Sequence, residues 1–193
     1  MGYPDFVSGD VLNASDMNAV GLWRVTGCTV TSAGGTAATA SNGVITIGTG
    51  NTSVTVANAF SADYDNYKIV ISDVAGSTAA NMTFQFSGIT GSVYSASGTF
   101  FTFGSATVSG FGPAATTSWV IGPSNTLTSN WIADVISPFA SRRKTFMGKG
   151  VGDLSSYEFN GYANSTTSAT GFVIAPSAGT ITGGKIRVYG YRN

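Results

Sequence analysis

Side chains able to do chemistry are few and scattered along this chain. Its 193 residues include no histidine, one cysteine (Cys28), eight aspartates and one glutamate, Glu158. Histidine is the commonest general base and the commonest metal ligand. Its absence excludes a Cys–His nucleophilic pair and a Ser–His–Asp arrangement. Glycoside hydrolysis needs two positioned carboxylates, and most of the aspartates sit in turn-forming stretches such as Asp63–Asn66. Asp134 differs, because it lies inside the apolar run WIADVIS. It is a candidate perturbed acid, the alternative being a carboxylate that faces solvent or pairs with a base. No GxxxxGK[ST] phosphate loop occurs, and GxG spacings are expected by chance among 26 glycines. The expectation is a protein that is not an enzyme and holds no metal and no cofactor.

Binding chemistry is easier to find. Arg142-Arg143-Lys144, with Lys149 nearby, is the densest charge on the chain and suits phosphate or acidic polysaccharide. On a strand, however, Arg142 and Lys144 point opposite to Arg143, which divides the patch. Tyr157, Tyr162, Tyr189 and Tyr191, read as exposed, suit stacking on sugars or a place in a subunit interface; both readings stay open. Residues 1–65 carry five acids and one base, whereas residues 142–193 carry seven bases and two acids. That asymmetry favours an anionic partner or steered subunit contacts, or else marks solvated edge strands. A single cysteine cannot form an internal disulfide, so Cys28 reads as a small semi-buried strand residue.

The elements that must position these groups are strands. In Asp63–Val74 (DYDNYKIVISDV), Tyr67, Ile69 and Ile71 fall on one face and Lys68, Val70 and Ser72 on the other. In NMTFQFS, Met82, Phe84 and Phe86 alternate with Thr83, Gln85 and Ser87. The two are expected to pair as a half-buried antiparallel unit. Further strands are predicted at about 43–47, 53–56, 99–103, 117–121, 131–136, 142–147, 157–162, 170–174 and 184–191, separated by Gly, Pro, Asn and Ser clusters as in a sandwich or barrel. Trp23–Thr31 has strand propensity. Ser32–Asn42 (SAGGTAATASN) has no large side chain to bury and reads as a loop, a linker, or a segment threaded against a neighbouring backbone. Thr99–Phe103 and Trp119–Ile121 have apolar residues on both faces, so a loop or a partner must cover one of them.

The length fits one domain or one domain with an appendage. An apolar share of 42%, with twelve Phe, supplies a real core despite only 9% charged residues. Such a charge-poor surface suits life in an assembly. No basic-then-apolar leader opens the sequence, and no apolar run approaches the ~20 residues of a membrane helix. N-x-[ST] sequons at Asn13, Asn51, Asn81 and Asn164 are expected by chance in a chain this rich in Ser and Thr. Residues 1–22 stand apart. Asn13 or Ser15 can cap a short helix through about Val20, with Asp16 in its first turn and Gly21 at its end. Such a helix is too short to be stable alone and must dock.

The opening FVSGDVLNASDMNAVGLWRV resembles the N-terminal signature of bacteriophage minor tail and tail-fibre proteins, at Phe6, Gly9, Asp10, Leu12, Ala14, Asp16, Asn18 and Gly21-Leu22. The same group is resembled at Phe60–Ile69 (FSADYDNYKI) and at Ile181–Tyr191 (ITGGKIRVYGY). The resemblance implies a virion structural protein, located in the virion and made in the host cytoplasm without a signal peptide. It implies an all-β, antiparallel, jelly-roll-like β-sandwich with a short N-terminal helix and extended arm, assembled as a homotrimer.

Expected units are 1–22 for virion attachment, 23–52 as linker and short strands, and 53–193 as sandwich body. Attachment contacts to other virion proteins are expected from Phe6, Val11, Leu12, Met17, Val20 and Leu22. Receptor or subunit contacts are expected from Arg142, Arg143, Lys144, Tyr189 and Tyr191, toward a host glycan or protein, with no nucleic acid and no membrane insertion. A tail-fibre or minor tail role is the leading expectation. A capsid decoration or head-fibre protein is the alternative, and a free carbohydrate-binding module is the second.

Overall fold

Alternation of apolar and polar side chains sets the architecture. The computed structural model describes residues 21–105, 107–152 and 155–191, and among them every regular element is a β-strand. The expected helix through Val20 lies outside the described residues.

The strands form two sheets, and every pairing of the named strands is antiparallel. The large sheet has ten strands. From one edge they run β3 (Thr39–Ser41), β4 (Val44–Ile47), β15 (Ile181–Tyr191), β6 (Asn66–Gly76), β11 (Ser129–Ile136), β12 (Lys144–Val151), β13 (Ser155–Ala163), β8 (Tyr94–Thr102) and β9 (Val108–Phe111), with β1 (Trp23–Arg24) also on β15. The small sheet has five, in the order β10 (Trp119–Ser124), β7 (Ala80–Phe86), β14 (Phe172–Pro176), β5 (Ser53–Ala57) and β2 (Thr29–Ala33). Facing layers of this kind make a β-sandwich.

The apolar phases fall as expected: Tyr67, Ile69 and Ile71 of β6 are buried, as are Met82, Phe84 and Phe86 of β7. These two strands nevertheless do not pair. β6 lies between β15 and β11, and β7 between β10 and β14. Their apolar faces turn toward one another across the core, so burial puts them in opposite layers. The short link Ser77–Ala79 carries the chain over, anchored by Ser77 N donating to Thr180 O at 2.8 Å.

The boundary expected at residue 53 is absent. β2 pairs with β5, and β4 with β15, so residues 29–47 belong to the same sandwich as the rest. Ile45 and Ile47 enter the core, while β3, made of small residues, sits exposed at the sheet edge. Trp23–Thr31 is not one strand either, because β1 joins the large sheet and β2 the small. Close threading does occur in Ser32–Asn42: Gly35, at φ 53°, lies so near Thr49 O and Gly50 that a Cβ there would collide with both.

Aromatic rings hold the layers together. Phe84 lies 4.9 Å from both Phe172 and Phe146, and Trp119 stacks on Phe146 at 4.7 Å. Phe146 in turn stacks on Phe159 at 5.1 Å. Phe84, Phe172 and Trp119 come from the small sheet, Phe146 and Phe159 from the large. Each buried Phe contributes roughly 1.5–3 kcal/mol, and each well-placed ring pair about 0.5–1.5 kcal/mol more. The indole of Trp131 lies against the backbone of Gly150 and Gly122, where any Cβ would strike its ring.

Candidate functional site

Strand pairing fixes what the outer face of the ten-stranded sheet displays. One row across it reads Val44, Arg187, Val70, Ile132, Lys149, Glu158 and Thr99, each directly opposite the next. A neighbouring row reads Tyr189, Lys68, Asp134, Met147, Asn160 and Ser97. Ile132, Met147, Val151, Tyr162 and Phe101 stand exposed on four consecutive strands, β11, β12, β13 and β8. Burying any of them against a partner would be favourable, which is why such clusters mark contact surfaces.

Two shallow depressions lie in this region. One, of about 300 Å³, is walled by Ile132, Val151 and Phe101 around Lys149 and Glu158. The other, of about 390 Å³, lies beside Arg143 and Tyr162, with Met147, Asn160, Thr145 and Ser97 in its lining. Arg143 places its guanidinium carbon 4.4 Å from the centre of the Tyr162 ring, a cation–π contact.

Farther along the face the charges are tied down. Lys68 Nζ lies 2.8 Å from Asp134 Oδ1 and donates to Oδ2 at 2.9 Å. Tyr191 OH donates to Asp134 Oδ1 at 3.5 Å, and burial, followed by the Asp134 charge, pushes the Tyr191 phenol above its usual range. Asp134 therefore sits in a half-exposed pair with a base, the bland alternative named for it. Arg187 donates to Ser72 Oγ at 3.3 Å, and Arg24 lies 5.8 Å over the Tyr189 ring. Glu158 stands opposite Lys149 in register. Among the described residues no three His, Cys, Asp or Glu side chains gather as a metal site.

The triplet Arg142-Arg143-Lys144 divides, but not by strand alternation: β12 begins at Lys144, and Arg142 and Arg143 both stand exposed ahead of it. Arg143 is exposed; Arg142 donates to Ser137 Oγ at 2.7 Å. Lys144 is 0% exposed, so it cannot touch a receptor or a subunit. Its Nζ donates to the carbonyls of Arg142 at 2.7 Å, Ala140 at 3.0 Å and Ser165 at 3.1 Å. Desolvation lowers its pKa, but three acceptors for three N–H groups keep the proton in place. Tyr157 is also corrected: it is buried, facing inward with Phe159.

No family model and no curated protein matches this chain. Its chemistry must be read from the surface itself. Leu22 is exposed, and the other proposed attachment residues, Phe6, Val11, Leu12, Met17 and Val20, lie outside the described residues. Tyr189 and Tyr191 lie half-buried on the outer face, away from Arg143. Cys28 is buried, and its thiol is pushed up to about 11 by desolvation, which leaves it un-ionised and unreactive at neutral pH.

A cleft of about 390 Å³ opens between the layers where the small sheet runs out. Phe100, Phe111 and Phe159 line it, with Tyr157, Pro113 and Pro123. β9 was not foreseen in the sequence, and neither was this cleft. The apolar phase of Thr99–Phe103 gave the signal: Phe100 turns inward and Phe101 outward.

Proposed function

We propose that this chain is a structural subunit of a bacteriophage particle, a tail-fibre or minor tail component. Its leading residues attach it, and its sandwich works by surface contact. The observation that carries this reading is the outer face of the large sheet. It displays exposed Ile132, Val151 and Phe101 together, from β11, β12 and β8, a display suited to lasting contact with other subunits. The resemblance at residues 6–22, 60–69 and 181–191 supplies the identity of the assembly. The wrap of β4–β15–β6–β11 over β5–β14–β7–β10 supports the jelly-roll reading. In the same reading the subunit is a homotrimer and performs no reaction.

The test is incorporation. Particles assembled with a chain lacking residues 1–22 should omit it, while the truncated protein remains folded in solution. Normal incorporation of the truncated chain would remove the attachment role. Sedimentation of the full chain should give the mass of three copies, and a monomer at micromolar concentration would refute the trimer. Densitometry of particles separates a tail component, present in few copies, from a capsid decoration protein present in hundreds.

A further inference from the structure

We propose that the depression beside Arg143 and Tyr162 on the outer face binds a carboxylate-bearing sugar, such as a uronate or sialate residue of a polysaccharide. The proposal does not depend on the chain belonging to a particle, since a free protein would carry the same site.

Three features lead to this ligand. The first is charge. Arg143 is the only charged residue lining the depression, and no carboxylate lines it. Asp134 on the same face is held by Lys68 at 2.8 Å, and neither it nor Glu158 lines the depression. One unopposed guanidinium calls for one negative charge, and its planar fork fits a carboxylate with two parallel hydrogen bonds.

The second feature is the lining. Asn160, Thr145 and Ser97 offer an amide and two hydroxyls, which can both donate and accept. Ring hydroxyls of a sugar need such partners. Met147 and Tyr162 add an apolar wall for the C–H face of the ring. A protein partner would call for more apolar area than this depression has, and a polyphosphate for more than one cation.

The third feature is rigidity. Arg143 is bracketed by residues that cannot move freely. Lys144 ties its own strand to the carbonyls of Arg142, Ala140 and Ser165. Tyr162 lies in β13, hydrogen-bonded on both sides, opposite Thr145 and Ser95. The Arg143–Tyr162 contact at 4.4 Å then holds the guanidinium beside the ring before any ligand arrives. A site ordered in advance loses less entropy on binding.

The test is a titration of the full chain, followed by NMR at the Arg143 and Tyr162 signals, with galacturonate, galactose and galactose 6-phosphate. Galacturonate should saturate in the millimolar range and bind about tenfold tighter than galactose, a factor one charge-assisted contact can supply. Arg143→Gln should abolish that preference while leaving the thermal midpoint unchanged, because the side chain is exposed. Tyr162→Ala should weaken galacturonate and Arg143→Lys should restore only part of the preference. Equal affinity for galacturonate and galactose would overturn the proposal. So would tighter binding of the phosphate ester, an unchanged preference in Arg143→Gln, or no shift at about 50 mM galacturonate, ample for a millimolar site.

Discussion

Alkaline pH should unfold this protein, and Tyr94 should account for a measurable share of the loss. The Tyr94 side chain is 0% exposed. Its hydroxyl donates to Ile89 O at 2.9 Å and accepts from Phe86 N at 3.0 Å. A phenolate there would lose its own donor and face the Ile89 carbonyl. Burial raises the pKa from 10.0 to about 12, against a smaller pull downward from the Phe86 N–H. Below pH 10 the phenol is neutral whether the chain is folded or not, and the native state keeps its full advantage. Between about 10 and about 12 the unfolded chain has released its proton while the folded chain has not, so stability falls as pH rises. Two pKa units correspond to ~3 kcal/mol, a sizeable fraction of the roughly 5–15 kcal/mol that holds a typical domain together.

The assay is guanidinium unfolding followed by tryptophan fluorescence, at steps from about pH 8 to about pH 12, on the native chain and on Tyr94→Phe. The variant should be weaker by about 1 kcal/mol at neutral pH, from the lost hydrogen bonds, yet its stability should decline less steeply, by ~3 kcal/mol over the window. Other groups titrate nearby. Cys28 is raised from 9.0 to about 11, and Tyr67 and Tyr191 are raised too, all adding to the alkaline loss. Lys144 is lowered and acts in the opposite sense, gaining stability as pH rises. These are common to both proteins, so the difference between the curves isolates Tyr94. Parallel curves would refute the reasoning.

Lys144→Met should cost about 3–5 kcal/mol in denaturant unfolding, because it strands three inward-facing carbonyls. Asp134→Asn should move stability by no more than about 1 kcal/mol, since its pair with Lys68 is about one-third exposed. Gly150→Ala should cost about 1–3 kcal/mol by forcing a methyl into the Trp131 ring, seen as a lowered thermal midpoint. Cys28 should resist a disulfide reagent at pH 8 in the native protein and react at once in denaturant, and rapid native labelling would contradict its burial.

The period-two pattern made much of this fold legible. β6, β7 and β11 each bury the face that their alternation marks. Sheet membership was harder, because the same phase serves a neighbour in one layer or an opposite number in the other. β6 and β7 differ in just this way. Lys144 and Tyr157 were misread as surface groups on residue type alone. Phase held the answer in both cases: Lys144 alternates with Phe146, and Tyr157 with Phe159. What no pattern could reveal is the ring of carbonyls around the Lys144 ammonium, which exists only once the loops after β11 and β13 have closed over it. Of the candidate site, Arg143 and Tyr162 were each visible. Their contact, and the lack of acids in the depression they line, came only with the folded structure, since Arg143 precedes the first residue of β12.

β15 fits between β4 and β6, and Ser72 meets Arg187 across 115 positions of chain. Until the later strand arrives, both earlier ones offer bare hydrogen-bonding edges separated by the width of a single strand. A growing polypeptide therefore carries an open slot until β15 is made, and any extended segment, including one from a sister molecule, can enter it. Such distant closure makes for slow folding. Yield during expression should thus depend on crowding and temperature more than the finished sandwich's strength would suggest.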